Sequence, residues 1–250
     1  MTARPRRSVL CLPGADANAH EAAKVLDADV LIFDLSDGVA PDDKAVARAA
    51  TMTSLRAGGY GGREIVVRIN GHLTPWYKED VMAVAACTPD AVLIPKVASP
   101  GDVMRVAKDL REAGAQDHVK LWAMLETPLA VLNADSILRT AGDPASRLCV
   151  VVVGTQDLAR ECRAALKPGR ATIVAHLSLF IAAARAYAVE IIDGVYTDIG
   201  NAEGLRAECE QGCDLGMDGK LLIHPDQIAL CNEIFALPKD ASEKIDDASL

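Results

Sequence analysis

Basic charge is in short supply: 26 Lys and Arg stand against 35 Asp and Glu, a formal net charge of −9. No basic stripe follows the short Arg4, Arg6, Arg7 cluster, so a nucleic-acid partner is not expected. Long apolar runs are missing as well. The most sustained ones, such as Leu148 to Val153, fall far short of the ~20 residues that cross a bilayer. The N-terminus shows neither the apolar stretch nor the small-residue cleavage site of a secretory signal. The chain therefore reads as cytoplasmic, with no membrane partner. Its seven cysteines (Cys11, Cys87, Cys149, Cys162, Cys209, Cys213 and Cys231) include no CxxC pair, which suits reduced thiols better than a disulfide framework. Cys209 and Cys213 share a helix face, but no neighbouring His or second Cys pair completes a zinc set, so they read as packing residues. GxGxxG, Walker, nucleophile-elbow and HExxH patterns are also lacking, which removes the main support for dinucleotide, kinase and hydrolase chemistry.

What is present is a globular composition, 50% hydrophobic and 24% charged over 250 residues, organised as a repeat. Short apolar runs, each followed by a turn and a longer helical pattern, recur about every 30 residues, as βα units do. The expected strands are Ser8 to Leu12, Val30 to Leu35, Glu64 to Ile69, Ala91 to Val97, Lys120 to Leu125, Leu148 to Val153, Glu190 to Tyr196 and Gly219 to Ile223. Between them, Asp42-Asp43 opens a helix from Lys44 to Leu55, Ser99-Pro100 one from Asp102 to Ala113, and Gly200-Asn201 one from Ala202 to Gly212. Gly58, Gly114 and Gly216 stand where helices should stop. Eight such units with no linker predict a single α/β domain over 1–250, a (β/α)8 TIM barrel. The segment from about 239 to 250, which includes the acidic end from Asp240 to Leu250, is expected as a solvated tail or weakly held helix.

A barrel of this kind carries its site where the strands end. The polar residues closing the runs are Asp34 and Asp37, Arg68 and Asn70, Lys96, Glu126, Asp157, Asp198 and His224. Glu126 and Asp157 lie one βα period apart and can converge. Two such carboxylates open to water suit Mg²⁺, or Mn²⁺; alternatively, one of them caps the helix that follows. Arg68 ends an otherwise apolar strand and needs an anion, either a substrate carboxylate or a structural partner at Asp34 or Asp37. Lys96 reads as a Schiff-base lysine or as an ordinary ion pair. His224, before Pro225, reads as a base or as a hydrogen-bond partner of a neighbouring loop.

Taken in order, Arg7-Ser8-Val9-Leu10 with Pro13-Gly14, Asp34-Leu35-Ser36-Asp37-Gly38-Val39 with Lys44 and Arg48, Val67-Arg68-Ile69-Asn70, Pro95-Lys96, Glu126-Thr127-Pro128, Gly154 with Asp157-Leu158, Ile192-Asp193-Gly194 and Ile223-His224-Pro225 form a series. This series resembles the citrate lyase β-subunit-like branch of the HpcH/HpaI aldolase family. The resemblance implies a Mg²⁺-dependent carbon–carbon lyase that splits a β-hydroxyacyl-CoA of the citryl-, malyl- or citramalyl-CoA type into an acyl-CoA and an oxo acid. It implies metal ligation by Glu126 and Asp157 and substrate binding by Arg68 through bidentate bonds. Anion stabilisation would come from the backbone of Gly154, Thr155 and Gln156, with Asp34, Ser36, Asp37 and Lys96 around the centre. It also implies a homo-oligomer, trimeric in many relatives. Three departures stand out. Ser36 replaces the Glu of Asp-Leu-Glu-Asp, Ala15, Asp16 and Ala22 replace basic positions, and the chain stops soon after Pro238, short of a longer C-terminal segment. They leave open an aldolase for free oxo-acid adducts without CoA recognition, or a catalytically weak binding subunit.

Overall fold

The β-branched and leucine-rich runs become the strands of one closed parallel barrel, each hydrogen-bonded to the next and the last to the first. The computed structural model describes residues 4–236. Its strands are β1 (Ser8–Pro13), β2 (Val30–Asp34), β3 (Glu64–Arg68), β4 (Ala91–Ile94), β5 (Lys120–Leu125), β6 (Leu148–Val153), β7 (Glu190–Asp193) and β8 (Gly219–Leu222). The expected acidic tail lies outside the described residues. Alternation sorts each strand: Val30, Ile32, Val66, Trp122 and Val152 fill the interior, while Leu31, Phe33, Val67 and Val153 pack outward under the helices. Both faces are apolar, so the strands read as continuous apolar runs.

Helices Lys44–Ala57, Pro100–Glu112 and Ala202–Leu215 stand where the punctuation placed them. Ser99 and Asp102 form a reciprocal capping box, and Gly216 ends its helix with a left-handed φ of 102°. β2, β3 and β8 stop one residue earlier than expected, and two strands stop three residues earlier. β4 ends at Ile94 rather than Val97, because Lys96 takes a left-handed φ of 53° that no strand continues. β7 ends at Asp193 rather than Tyr196, where the Asp193 side chain accepts from the N–H of Gly194 at 2.8 Å.

The N-terminal end of the barrel is closed by charge. Arg6 donates to both carboxylate oxygens of Glu64 at 2.7 and 3.0 Å, pairs with Glu190 at 2.7 Å and lies 5.5 Å from the Trp122 ring centroid. Function is thereby left to the opposite end. All seven cysteines are free. Cys209 lies 3.5 Å from Cys231 across a helix contact, and among the described residues no group of three His, Cys, Asp or Glu gathers as a metal set.

Candidate active site

β2 and β3 place their last residues side by side, Asp34 opposite Arg68, and both point into the barrel mouth. Arg68 Nε donates to Asp34 Oδ1 at 2.7 Å and Nη2 to Oδ2 at 2.6 Å. The same carboxylate accepts from the N–H and hydroxyl of Ser36, at 2.8 and 2.7 Å, and from the N–H of Gly38 at 3.0 Å. Burial would raise the Asp34 pKa, but these donors win, with Arg68 foremost, and hold it below the ordinary carboxylate value. Burial likewise disfavours the Arg68 charge, and Asp34 overcomes it. Of the two readings of Arg68, the structural pair with Asp34 is therefore formed. It is compatible with a substrate role, because the Nη1 end is left at the cavity, 3.6 Å from Met124 Sδ. With five donors on it, Asp34 has no capacity left to serve as base or ligand.

Across the mouth, Glu126 follows β5 and Asp157 lies in the first turn of the helix Thr155–Glu161 after β6. Neither is a helix cap. Thr127 caps the helix after Glu126, accepting from Ala130 N–H at 3.1 Å, and the helix holding Asp157 has no side-chain cap. Both acids line one cavity of about 120 Å³ with Asp37, Arg68, Met124 and Leu221. Glu126 is buried, with Oε1 accepting from Lys96 N–H at 2.8 Å. Burial first, then the charge of Asp157, pushes its pKa up to about 7. The positive charge of Arg68 offsets this only in part, and further positive charge would stabilise a carboxylate buried beside a second one. The hard-oxygen pair fits Mg²⁺, which takes one or two carboxylates and fills its octahedron with water and substrate oxygens.

Several expectations are corrected by the geometry. Lys96 serves the site through its backbone N–H; its half-exposed ammonium faces Asp157 at 3.9 Å, an ion pair and not the desolvated amine of a Schiff base. Arg160 also pairs with Asp157, at 2.7 Å. The Gly154 N–H is not free for an anion, since it donates to Leu125 O at 3.1 Å. Gly154 matters instead because Glu126 packs against it where a side chain would be. Thr155, buried, and Gln156, exposed, line the cavity. Ser36 turns its hydroxyl onto Asp34, leaving exposed Asp37 as the loop's carboxylate at the cavity. His224 accepts from Asp226 N–H at 3.2 Å and caps a short turn. Asp198 is exposed, and the acid that closes β7 is Asp193.

Asp193 stands in the sequence series without a role. It is buried outside the barrel wall, where it pairs with Lys220 at 2.8 Å and Arg170 at 2.6 Å. Cys11, beside Asp34 and Arg68, was also unassigned. Burial pushes its thiol pKa up to about 12, so it is no thiolate nucleophile.

Comparison with known proteins agrees with the barrel fold. Residues 7–225 match the family model described as HpcH/HpaI aldolase/citrate lyase. A (3S)-malyl-CoA thioesterase of Cereibacter sphaeroides is 46% identical, covering 94% of this chain and 78% of the relative. The citrate lyase subunit beta of Escherichia coli is 33% identical, covering 93% and 78%. Among solved structures, the CitE protein of Mycobacterium tuberculosis in complex with magnesium, acetoacetate and coenzyme A superposes with a TM-score of 0.76 at 27% identity, covering 95% of this chain and 83% of that one.

Proposed function

From the premise that the chain belongs to the HpcH/HpaI aldolase/citrate lyase family, we propose that it is a Mg²⁺-dependent carbon–carbon lyase. Its substrate would be a β-hydroxyacyl-CoA of the malyl-CoA type, cleaved to an acyl-CoA and a 2-oxo acid. The observation that carries this reading is the pair Glu126 and Asp157, which open on the same cavity as Arg68, with Glu126 held there by the Lys96 N–H. Those two carboxylates would hold the ion, and Mn²⁺ suits the same oxygens. When bound, the metal supplies positive charge to the hydroxyl and carboxylate oxygens of the oxo-acid half, lowering the hydroxyl pKa. Arg68 orients the substrate carboxylate through its Nη1 end, and Asp34 fixes the guanidinium for that task. Met124 and Leu221 give the cavity an apolar side that limits water around the reacting carbons. In the cleavage the hydroxyl loses its proton, the bond between C2 and C3 breaks, and the electron pair passes to the thioester enolate, which is then protonated.

A second reading, hydrolysis of the thioester to a free hydroxy acid and CoA, is favoured by the similarity to the malyl-CoA thioesterase. Product analysis separates the two. With malyl-CoA and Mg²⁺, the lyase gives acetyl-CoA and glyoxylate, trapped as a phenylhydrazone, whereas hydrolysis gives malate and a free CoA thiol. We expect glyoxylate, abolished by EDTA and reduced by about 100-fold or more in Glu126→Gln. Free thiol without glyoxylate would transfer the assignment to hydrolysis, and glyoxylate formation indifferent to EDTA would sink the Mg²⁺-dependent lyase. We further place the protein in the cytosol, where its seven free thiols stay reduced, as a homo-oligomer, which light scattering can check.

A further inference from the structure

Lys44, which the sequence series includes without a role, is buried at the start of the helix Lys44–Ala57, yet it is not held as buried ammonium groups usually are. Among the described residues it makes no ion pair. Its Nζ donates instead to two successive backbone carbonyls, Leu35 O at 2.9 Å and Ser36 O at 2.6 Å, and lies 5.1 Å from the Trp76 ring centroid. Successive carbonyls of an extended chain point opposite ways. Their convergence on one ammonium means the chain has turned immediately after Asp34. Two further donors act on the same pair of carbonyls, Asn70 Nδ2 on Leu35 O at 2.9 Å and Val39 N–H on Ser36 O at 3.0 Å. The turned backbone then presents the N–H groups of Ser36 and Gly38 to Asp34, and Asp34 holds Arg68.

We propose that Lys44 is a positioning residue. By clamping the carbonyls of Leu35 and Ser36 it sets the 34–38 turn, and through that turn it fixes where the Asp34-held Arg68 guanidinium and the Asp37 carboxylate meet a bound hydroxy or oxo acid. The proposal rests on the functional reading above for its substrate and on hydrogen bonds alone for its clamp. Glu126 and Asp157 follow other strands, β5 and β6, so loss of Lys44 damages substrate orientation and leaves the metal ligands in place.

The test uses the full chain with Lys44→Met, the milder Lys44→Gln in case the first does not fold, and Lys44→Arg, which can still donate to two carbonyls. Calorimetry with Mg²⁺ alone and then with oxalate, a two-carbon probe of the oxo-acid site, reads orientation. Amide hydrogen exchange at Ser36, Gly38 and Val39 reads the clamp. We expect oxalate to bind about tenfold or more weakly in Lys44→Met or Lys44→Gln, with Mg²⁺ affinity within about threefold of wild type and most of the oxalate loss restored by arginine. Exchange at the three amides should rise about tenfold or more. A folded variant with unchanged oxalate affinity overturns the positioning role, and unchanged exchange overturns the clamp. Wild-type protein that binds neither Mg²⁺ nor oxalate overturns the functional reading and the substrate half of the proposal together, while the exchange result still decides the clamp.

Discussion

Gly154 shows how much of the site depends on what a residue leaves out. A Cβ at this position would sit 2.5 Å from Glu126 Cβ and closer still to its Oε2, and the crowded atoms include the root of the side chain, which cannot swing aside. Gly154→Ala should therefore push Glu126 out of place. Titration calorimetry should show Mg²⁺ affinity reduced by about tenfold or more, at an overpacking cost of about 1–3 kcal/mol in urea unfolding. Unaltered Mg²⁺ affinity would show that Glu126 is not a ligand. Arg68 presents the complementary case, where geometry outweighs charge. Lysine keeps the positive charge but cannot give Asp34 two parallel bonds while offering a third group to the cavity. Arg68→Lys should lower kcat/KM by about 100-fold with little change in Mg²⁺ binding. Equal loss of metal binding would mean that the residue supports the carboxylate pair instead.

At the scale of elements, the strand order and most boundaries were legible because both faces of every strand are buried, which leaves continuous apolar runs bounded by turns. β5 and β6 match residue for residue. β4 and β7 run short because their ends are set by a left-handed Lys96 and by the side chain of Asp193, which apolar patterning does not register. The candidate site was legible in the same measure. Glu126, Asp157 and Arg68 follow from position at strand ends. The use of Lys96 through its amide and the fork between Arg68 and Asp34 depend on backbone direction and register. The pairing of β7 with β8 puts Asp193 opposite Lys220, a contact no local pattern announces. Lys220 is fully buried, with Nζ at 2.8 Å from both Asp193 and Glu208. Lys220→Met should strip one of two cations from a buried acid and cost about 3–5 kcal/mol in urea unfolding. A loss below about 1 kcal/mol would show that Arg170 alone satisfies Asp193.

The stability of the whole molecule should carry the signature of Glu126. Its pKa, ordinarily 4.5, stands at about 7 in the fold, so between those values the metal-free folded chain keeps a proton that the unfolded chain releases. The contribution of Glu126 must then fall as pH rises from about 4.5 to about 7, by up to about 3 kcal/mol, and level off above. His20 works in the opposite direction. Burial lowers its pKa below the ordinary 6.5, so the unfolded chain binds more protons and stability rises with pH up to that value. Asp34 and Asp193, both lowered, act at the acid end, where their contribution is lost as pH falls through their folded values. The difference between wild type and Glu126→Gln isolates the glutamate from all three. In EDTA, urea unfolding should show wild type losing ground to Glu126→Gln between pH 5 and pH 8. Saturating Mg²⁺ should restore wild type alone, because the ion takes the place of the proton and binds the folded chain. Parallel pH profiles for the two proteins in EDTA, or equal Mg²⁺ stabilisation of both, would mean that Glu126 is neither strained by its neighbour nor relieved by a cation.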